Sequence, residues 1–257
     1  MSRRGVPESR ILGLRCTSLA RIDKIGTLWK ASLFGLECAP LGMVAPTHET
    51  GRASRMSRAD EDPLSCCDGA MHLRSLEIPG LMLIRPGRLR DARGFFSETY
   101  SARVFLDHGI GATFVQDNHA LSKDKGVVRG LHFQAPPRAQ DKLIRVIQGA
   151  ILDVAVDIRR GSPTYGRHVA VLLSAENWEQ LWVPKGFAHG YHTLEPQTEV
   201  LYKVTDYYAR ECERGLAWDD PALLIDWRLA SEAPILSERD RGLPTLAELP
   251  AYFSYPT

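Results

Sequence analysis

The sequence predicts an all-β protein, a β-sandwich or jelly roll with a few short helices. Short runs of β-forming residues recur from about residue 71 onward, separated by turns rich in glycine, proline and aspartate. Apolar and polar residues alternate within several of these runs, which is the period of a strand with one face in a core. Windows with helical character are few, and the best are SARVFLDHG and SAENWEQ.

The first part of the chain, residues 1–70, differs from the rest in composition and in residue pattern. It carries scattered arginine and serine, the polar tract THETGRASRMSRADEDPLSCCDG and no sustained apolar periodicity. We therefore predict a disordered or non-native N-terminal extension over residues 1–70 and one domain over residues 71–257. An accessory segment and a targeting peptide are the alternatives, and Glu8 and Asp23 argue against the second.

The predicted strands of the domain follow one another at short intervals. In chain order they are LMLIR, ATFVQDNHAL, KLIRVIQG, AILDVAVDIR, HVAVLLS, QLWVPKG, GYHTL and EVLYKVTDYY. Alternation in DVAVDIR puts Val154 and Val156 on one face and Asp153 on the other. The Gln148-Gly149 pair between two of the runs predicts a hairpin turn.

Composition excludes several classes of protein. The chain has 257 residues and a formal net charge of +1, so no strong attraction to nucleic acid or to an acidic membrane surface is expected. No apolar run approaches the roughly 20 residues that span a bilayer. Four of the five cysteines precede residue 70, and no CxxC pair suggests zinc. A reducing cytoplasm is the expected location.

Several polar residues occupy strands that otherwise resemble a β-sheet interior. VVRGLHFQ contains Arg129 and His132, and Lys142 opens the run KLIRVIQG. Burying a cation costs several kcal/mol unless it is paired or serves a ligand. Tyr202 and Tyr208 in LYKVTDYY fit either a half-buried sheet surface or a site. Together these residues predict a polar cavity inside the jelly roll.

One turn resembles the second half of the cupin signature, Pro-x-Gly-x-x-His, in PKGFAHG with His189. Metal-binding cupins also need a first half with His-x-His followed by a glutamate. Here Gln134 stands two residues after His132, and Lys142 follows where a cation would repel a metal ion. We therefore expect a cupin shape without a metal.

From about residue 71 to residue 246, the chain resembles the dTDP-4-dehydrorhamnose 3,5-epimerase family. The matching segments, in order, are DARGFFSETY, FVQDNH, VVRGLHFQ, DKLIRVIQGAILDVAVDIRRGSPTYG, LSAEN, QLWVPKGFAHG, EVLYKVTDYY, WDDP and LSERD. The resemblance implies a cupin-type jelly roll, a dTDP-4-keto-6-deoxyhexose substrate, and inversion at C3 and C5 through an enolate without cofactor or metal. It also implies that the product belongs to dTDP-L-rhamnose biosynthesis.

The resemblance also assigns four catalytic roles. His132 is the expected base, because an imidazole titrates near neutrality. Asp240 of LSERD is its expected orienting partner, and Lys142 is expected to face the C4 oxygen. Tyr202 is the expected proton donor on the opposite face of the sugar.

Ten residues are implied as substrate contacts. They are Arg93, Phe96, Glu98, Gln116, Asn118, Arg129, Lys142, His189, Tyr208 and Glu213. Among them, Arg93, Phe96 and Glu98 match residues that hold phosphate and thymine, and Tyr208 matches a ring that stacks on thymine. In the family the arm bearing the first three reaches into the neighbouring subunit, which implies a homodimer.

Two alternative functions remain at this point. One is a single-site epimerase that inverts only C3 or only C5, because such enzymes share most catalytic residues. The other is a non-catalytic cupin that binds a sugar nucleotide, against which the presence of His132 and Tyr202 argues. Nucleic acid and membrane are not expected partners.

Overall fold

The structure, a computed structural model, describes residues 69–229 and 233–256. The extension predicted over residues 1–70 lies outside this part, apart from its last two residues. The fifteen described strands are β1 His72–Ser75, β2 Met82–Arg85, β3 Leu89–Asp91, β4 Gly94–Phe96, β5 Gln116–Ser122, β6 Val128–Gln134, β7 Lys142–Gln148, β8 Ala150–Asp157, β9 Arg159–Arg160, β10 His168–Ser174, β11 Gln180–Val183, β12 Phe187–Thr193, β13 Thr198–Val204, β14 Glu213–Gly215 and β15 Phe253–Ser254.

The strands form two large antiparallel sheets. The first has six strands in the order β1-β2-β11-β7-β13-β5, and the second has five in the order β10-β8-β12-β6-β14. A small hairpin pairs β3 with β4, and a short parallel ladder pairs β15 with β9. The helices that accompany them are short: α1 at Ala102–Asp107, α2 at Glu238–Arg241 and a 3₁₀ turn at Arg210–Cys212. The predicted all-β class is confirmed.

The main core lies between the two sheets. β7 contributes Ile144 and Val146 to it from the first sheet, and β8 contributes Ile151 and Ala155 from the second. All eight residues of β8 are buried, because a second apolar layer covers its other face. β8 thus has the near-continuous burial of a central strand, although its sequence alternates.

The outer faces of both sheets are also covered. On the six-stranded sheet, Phe105 of α1 packs against Leu143 and Trp182, which confirms the helix predicted in SARVFLDHG. On the five-stranded sheet, Trp227 and Phe253 from the C-terminal part pack against β8. Among the described residues, no helix is both long and apolar enough to cross a membrane.

The helix predicted in SAENWEQ is wrong. These residues form a turn between β10 and β11. The side chain of Asn177 accepts hydrogen bonds from the amides of Ser174 and Glu179 at 3.0 and 3.1 Å, and the hydroxyl of Ser174 accepts one from the amide of Asn177 at 2.9 Å. Short polar side chains offer the backbone these local partners in place of helical ones, and that competition favours the turn.

The hairpin predicted at Gln148-Gly149 is also wrong, although the turn itself is present. β7 pairs with β11 and β13, whereas β8 pairs with β10 and β12. The chain therefore crosses from one sheet to the other at Gly149, whose φ of +75° suits glycine. A glycine turn between two buried strands has the same local sequence whether the strands pair as a hairpin or belong to different sheets.

Candidate active site

A cleft of about 870 Å³ opens between the two sheets. Its walls carry side chains from β5, β6, β7, β12, β13, β14 and α2. The structure brings ten of the predicted site residues together here: Gln116, Asn118, Arg129, His132, Lys142, His189, Tyr202, Tyr208, Glu213 and Asp240.

Simple alternation places the residues on the six-stranded sheet. On β5, Gln116 and Asn118 lie on the cleft side because every second residue is turned inward. Asn118 is the direct cross-strand partner of Tyr202 on β13. Lys142 is the first residue of β7 and shares the inward face of that strand with the apolar Ile144, two residues later.

Alternation does not explain β6, where Arg129 and His132 stand three residues apart and both line the cleft. His132 pairs with His189 and Arg129 pairs with Tyr191, so two residues of β6 face one residue of β12 between these pairs. This irregularity is a β-bulge, which changes the parity of the strand. The bulge therefore places the side chains of Arg129 and His132 on the same face of β6.

Two glycines make the bulge possible. A Cβ on Gly130 would lie 2.7 Å from the Cα of Gly190, and one on Gly190 would lie 2.6 Å from the carbonyl oxygen of Arg129. Gly130 also has a φ of +117°, a conformation that L side chains rarely adopt. The close approach of β6 and β12 therefore depends on glycine in both strands.

His132 forms a dyad with Asp240. The Oδ1 atom of Asp240 lies 2.6 Å from Nε2 of His132. Asp240 belongs to α2, whose capping residue Ser237 accepts a hydrogen bond from the Asp240 amide at 3.1 Å. Burial favours the neutral carboxyl, but the hydrogen bond and charge of His132 outweigh it and hold the pKa of Asp240 below its ordinary value. The carboxylate therefore accepts a hydrogen bond from Nε2–H of His132, which leaves Nδ1 as the basic nitrogen.

Lys142 is buried beside this dyad. Its side chain is only 9% exposed, and its Nζ donates a hydrogen bond to the carbonyl oxygen of His132 at 3.1 Å. Burial lowers the pKa of Lys142 to about 8, and the negative charges of Asp153 and Glu213 oppose that shift. The ammonium is thus a charge held in a largely water-free wall.

A second dyad, not predicted from the sequence, supports His189. The Oδ1 atom of Asp153 lies 2.6 Å from Nε2 of His189, and Asp153 is fully buried. Burial lowers the pKa of His189 despite the opposing effect of Asp153. The other oxygen of Asp153, Oδ2, has no hydrogen-bond partner among the described residues. The sequence did offer one signal for this dyad, because Asp153 is an acidic residue at an inward position of an otherwise apolar strand.

Tyr202 faces the cleft from the opposite sheet. It is partly buried, and burial raises the pKa of its hydroxyl while the positive charge of Arg129 lowers it to a smaller extent. The phenol is therefore protonated at neutral pH. Arg129 itself donates hydrogen bonds to the hydroxyl of Ser122 at 3.2 Å and to the carbonyl oxygen of Leu121 at 3.1 Å.

An exposed aromatic ring marks one end of the cleft. The hydroxyl of Tyr208 donates to Oε2 of Glu213 at 2.7 Å, and Arg239 pairs with Oε1 of the same carboxylate at 2.7 Å. Burial would raise the pKa of Glu213, but its bonds to Tyr208 and Arg239 lower it overall. The backbone amide of Tyr208 donates to Oε1 of Gln116 at 3.2 Å. Arg239 was not predicted as a site residue.

Three predicted contacts lie outside the cleft of the same chain. Arg93 and Phe96 belong to the β3–β4 hairpin and its turn, and Glu98 follows it; all three are exposed. The guanidinium of Arg93 pairs with Asp91 at 2.6 Å, and Phe96 is 69% exposed. Their role in binding stays a prediction that depends on a second subunit.

The described part of the chain contains no group of three or more histidine, cysteine, aspartate or glutamate side chains placed to hold a metal ion. The carboxylates of Asp240 and Asp153 each bind a histidine of their own. The acid–base groups of the cleft are therefore arranged as dyads around a lysine.

Comparisons of the sequence and of the structure with known proteins identify the same family. Residues 75–248 match the family model of dTDP-4-dehydrorhamnose 3,5-epimerase. A dTDP-4-dehydrorhamnose 3,5-epimerase of Sinorhizobium fredii is 51% identical over 185 residues, which cover 72% of this chain and 94% of the relative.

Two solved structures extend the comparison. An epimerase of Legionella pneumophila, crystallised with dTDP-4-keto-L-rhamnose, is 43% identical with a TM-score of 0.70, covering 73% of this chain and 100% of that chain. A 3'-monoepimerase of Streptomyces bikiniensis, in complex with dTDP-quinovose, is 32% identical with a TM-score of 0.66, covering 70% and 92%. The resemblance inferred from the sequence motifs is confirmed, and the chain belongs to the dTDP-4-dehydrorhamnose 3,5-epimerase family.

Proposed function

We propose that this chain inverts C3 and C5 of dTDP-4-dehydro-6-deoxy-D-glucose and so forms dTDP-4-dehydro-L-rhamnose, an isomerase reaction of dTDP-L-rhamnose biosynthesis. One observation carries the proposal: the His132–Asp240 dyad, the buried Lys142 and the half-buried Tyr202 line one cleft from two facing sheets. This is the set that inversion next to a ketone requires. The base and the acid stand on opposite walls.

The reaction is a pair of proton transfers. Nδ1 of His132 takes the α-proton, and the electron pair of the broken C–H bond moves to the C4 oxygen to give an enolate. General base catalysis of this kind contributes roughly 10²–10⁴ in rate. Asp240 stabilises the imidazolium that forms. The hydroxyl of Tyr202 then returns a proton to carbon from the other face, and solvent restores both residues.

Lys142 supports the enolate electrostatically. Its fixed positive charge in a largely water-free wall faces the C4 oxygen, where such a charge contributes on the order of 10²–10³ in rate. His189 and Arg129 border the same space and contact the hexose and the diphosphate. Because these groups together supply base, acid and charge, we expect turnover without cofactor or metal.

The nucleotide occupies the end of the cleft near Tyr208. The exposed ring of Tyr208 stacks on thymine, as aromatic side chains do with bases, and Glu213 fixes the orientation of that ring through its hydroxyl. Gln116 and Asn118 provide polar contacts to the nucleotide. The contacts from Arg93, Phe96 and Glu98 come from a neighbouring subunit, so the active form is a homodimer with exchanged arms in the cytoplasm.

A single-site epimerase is the second candidate, since the Streptomyces bikiniensis relative is a 3'-monoepimerase. The greater identity to 3,5-epimerases favours inversion at both carbons.

Incubation with dTDP-4-keto-6-deoxyglucose in deuterated water tests the proposal. We expect NMR of the product to report deuterium at C3 and C5 and inversion at both. His132→Ala should abolish exchange and product. Tyr202→Phe retains base and lysine, so it should introduce deuterium into unepimerised substrate faster than it forms product. Exchange at one carbon only would identify a single-site epimerase, and no exchange in the wild type would identify a binding protein.

A further inference from the structure

Tyr191 carries a buried hydroxyl that the proposed reaction does not use. Its side chain is 5% exposed, belongs to the core between the sheets and also borders the cleft. By distance and angle the hydroxyl makes no hydrogen bond among the described residues. The Ser122 hydroxyl is near enough to lower the pKa of Tyr191, but its oxygen already accepts a hydrogen bond from Arg129. A buried polar group without a partner costs stability, and native proteins rarely leave one without a reason.

The ring and the hydroxyl of Tyr191 therefore need separate explanations. The ring packs with the apolar core, a task that phenylalanine would perform equally well. The hydroxyl adds only the cost of its desolvation in the free protein. The other buried side-chain atom without a partner, Oδ2 of Asp153, belongs to the residue directly opposite Tyr191 on β8. Two unmet hydrogen bonds thus occur at one place in the described structure.

Tyr191 lies close to the expected position of the sugar. It follows His189 by two residues on the same face of β12, a separation of about 7 Å, which is comparable to the width of a hexose with its hydroxyl groups. Its partner across β6 is Arg129. Tyr202 packs against the core cluster that contains Tyr191. The nucleotide end, marked by Tyr208 and Gln116, involves other elements.

We propose that the hydroxyl of Tyr191 donates a hydrogen bond to an oxygen of the hexose and is thereby a specificity-determining residue of the cleft. This inference rests on the proposed function, since it takes the ligand to be a dTDP-linked hexose. Burial raises the pKa of Tyr191 to about 12, so the hydroxyl keeps its proton throughout the neutral range and acts as a donor. The bond that is missing in the free protein forms only when sugar is bound.

The test is Tyr191→Phe, which removes the hydroxyl and keeps the ring. Binding of dTDP and of dTDP-glucose, which lacks the ketone and cannot be epimerised, is measured by calorimetry. We expect unchanged affinity for dTDP and about a tenfold loss for dTDP-glucose, the scale of one hydrogen bond. We also expect an unfolding midpoint equal to or above that of the wild type, because an unsatisfied group has been removed.

Tyr100→Phe is the matched control, since Tyr100 packs with Phe105 and Phe114 on the outer face of the six-stranded sheet. It should change neither affinity. A lower midpoint for Tyr191→Phe together with unchanged dTDP-glucose affinity would overturn the inference, because the hydroxyl would then serve the fold. If the wild type bound neither dTDP nor dTDP-glucose, the proposed function itself would fail.

Discussion

A buried ammonium such as that of Lys142 stabilises a ligand at the expense of the fold. Its desolvation is offset by the carbonyl oxygen of His132 at 3.1 Å and by the charges of Asp153 and Glu213. These partners do not restore the ordinary pKa, so the free protein bears a net cost. In the proposed reaction, the developing negative charge of the enolate is the partner that offsets this cost. Chemistry, and not packing, therefore accounts for a lysine at this position.

Replacing Lys142 by methionine should therefore stabilise the protein and inactivate it. The pKa of about 8 in the folded state lies below the ordinary lysine value of 10.5. Below pH 8, Lys142 is protonated in both the folded and the unfolded state, so the full cost of burying its charge lowers the stability of the wild type. Between pH 8 and 10.5 the unfolded state binds the extra proton, so wild-type stability rises with pH across that window.

Urea unfolding of wild type and Lys142→Met measures this effect. We expect the variant to be more stable at pH 7 by about 1–3 kcal/mol, with the difference shrinking toward pH 10. Wild-type kcat/KM should fall as pH rises through about 8, as Lys142 loses its charge. A variant less stable than wild type at pH 7 would contradict the view that the buried charge is costly.

At the scale of elements, the bulge in β6 is the feature that assembles the site. Without it, residues 129 and 132 would face opposite sides of the five-stranded sheet. The extra residue is tolerated because Gly130 and Gly190 let the two backbones approach within contact distance. The bulge therefore brings Arg129 to the same face of β6 as the His132–Asp240 dyad.

Gly130→Ala should be more destabilising than an ordinary glycine substitution. The new Cβ would meet backbone atoms of Gly190 and His189 at 2.7 and 2.8 Å, and a backbone cannot move aside as a side chain can. Gly126→Ala is the control, because Gly126 also has a positive φ of +85° but nothing lies within 4 Å of its Cβ position.

Denaturant unfolding should give a loss of about 1–2 kcal/mol for Gly126→Ala, from the backbone conformation alone. Gly130→Ala should lose a further 1–3 kcal/mol or so through overpacking and should also lower turnover by displacing His132. Equal losses in the two variants would mean that the close approach of β6 and β12 is not required.

The fold class and most of the cleft were predictable from the sequence because period and motif are local properties. Alternation identifies which residues share a face of a strand, as for Val154 and Val156 opposite Asp153, and the family motifs implied the residues of the cleft. Pairing is not local, which is why the turn at Gly149 was assigned to a hairpin and not to a crossing between sheets. Asp153 escaped prediction because a sequence gives the face of an acid and not its partner.

The whole molecule exposes a feature that a single chain does not explain. The β3–β4 hairpin presents Leu89, Phe95 and Phe96 with 55%, 49% and 69% exposure. Apolar side chains grouped in this way mark interaction surfaces. The same segment carries Arg93 and Glu98, which are expected at a nucleotide and yet lie outside the cleft. An arm that completes a partner's site accounts for both observations.

Mixing two inactive variants tests the arm. Arg93→Ala impairs the arm and His132→Ala impairs the cleft. In a hybrid dimer with exchanged arms, one of the two sites combines an intact cleft with an intact arm. After unfolding and refolding together, about a quarter of wild-type turnover should return for random pairing of a symmetric dimer. Turnover no greater than the mean of the separate variants would show that each arm serves its own chain.

We also predict that the first seventy residues are dispensable for activity. The described strands begin at His72, the family match begins at residue 75, and every candidate site residue follows. A chain beginning at Met71 should match the full chain in melting temperature and in kcat/KM. A fall in either quantity that a separately added 1–70 peptide does not reverse would assign a structural role to those residues.

The bulge in β6 also makes the cleft sensitive to the length of the chain there, and not only to residue type. Deleting one of the two bulged residues would restore strict alternation, and the residues on one side of the deletion would exchange faces of the sheet. Either Arg129 or His132 would then enter the apolar layer, while a hydrophobic neighbour entered the cleft. The turn at Gly126 has open space for a side chain, but its amide and carbonyl are hydrogen-bonded to Thr193 and Ile235. Members of the family are therefore expected to keep one invariant spacing between Arg129 and His132.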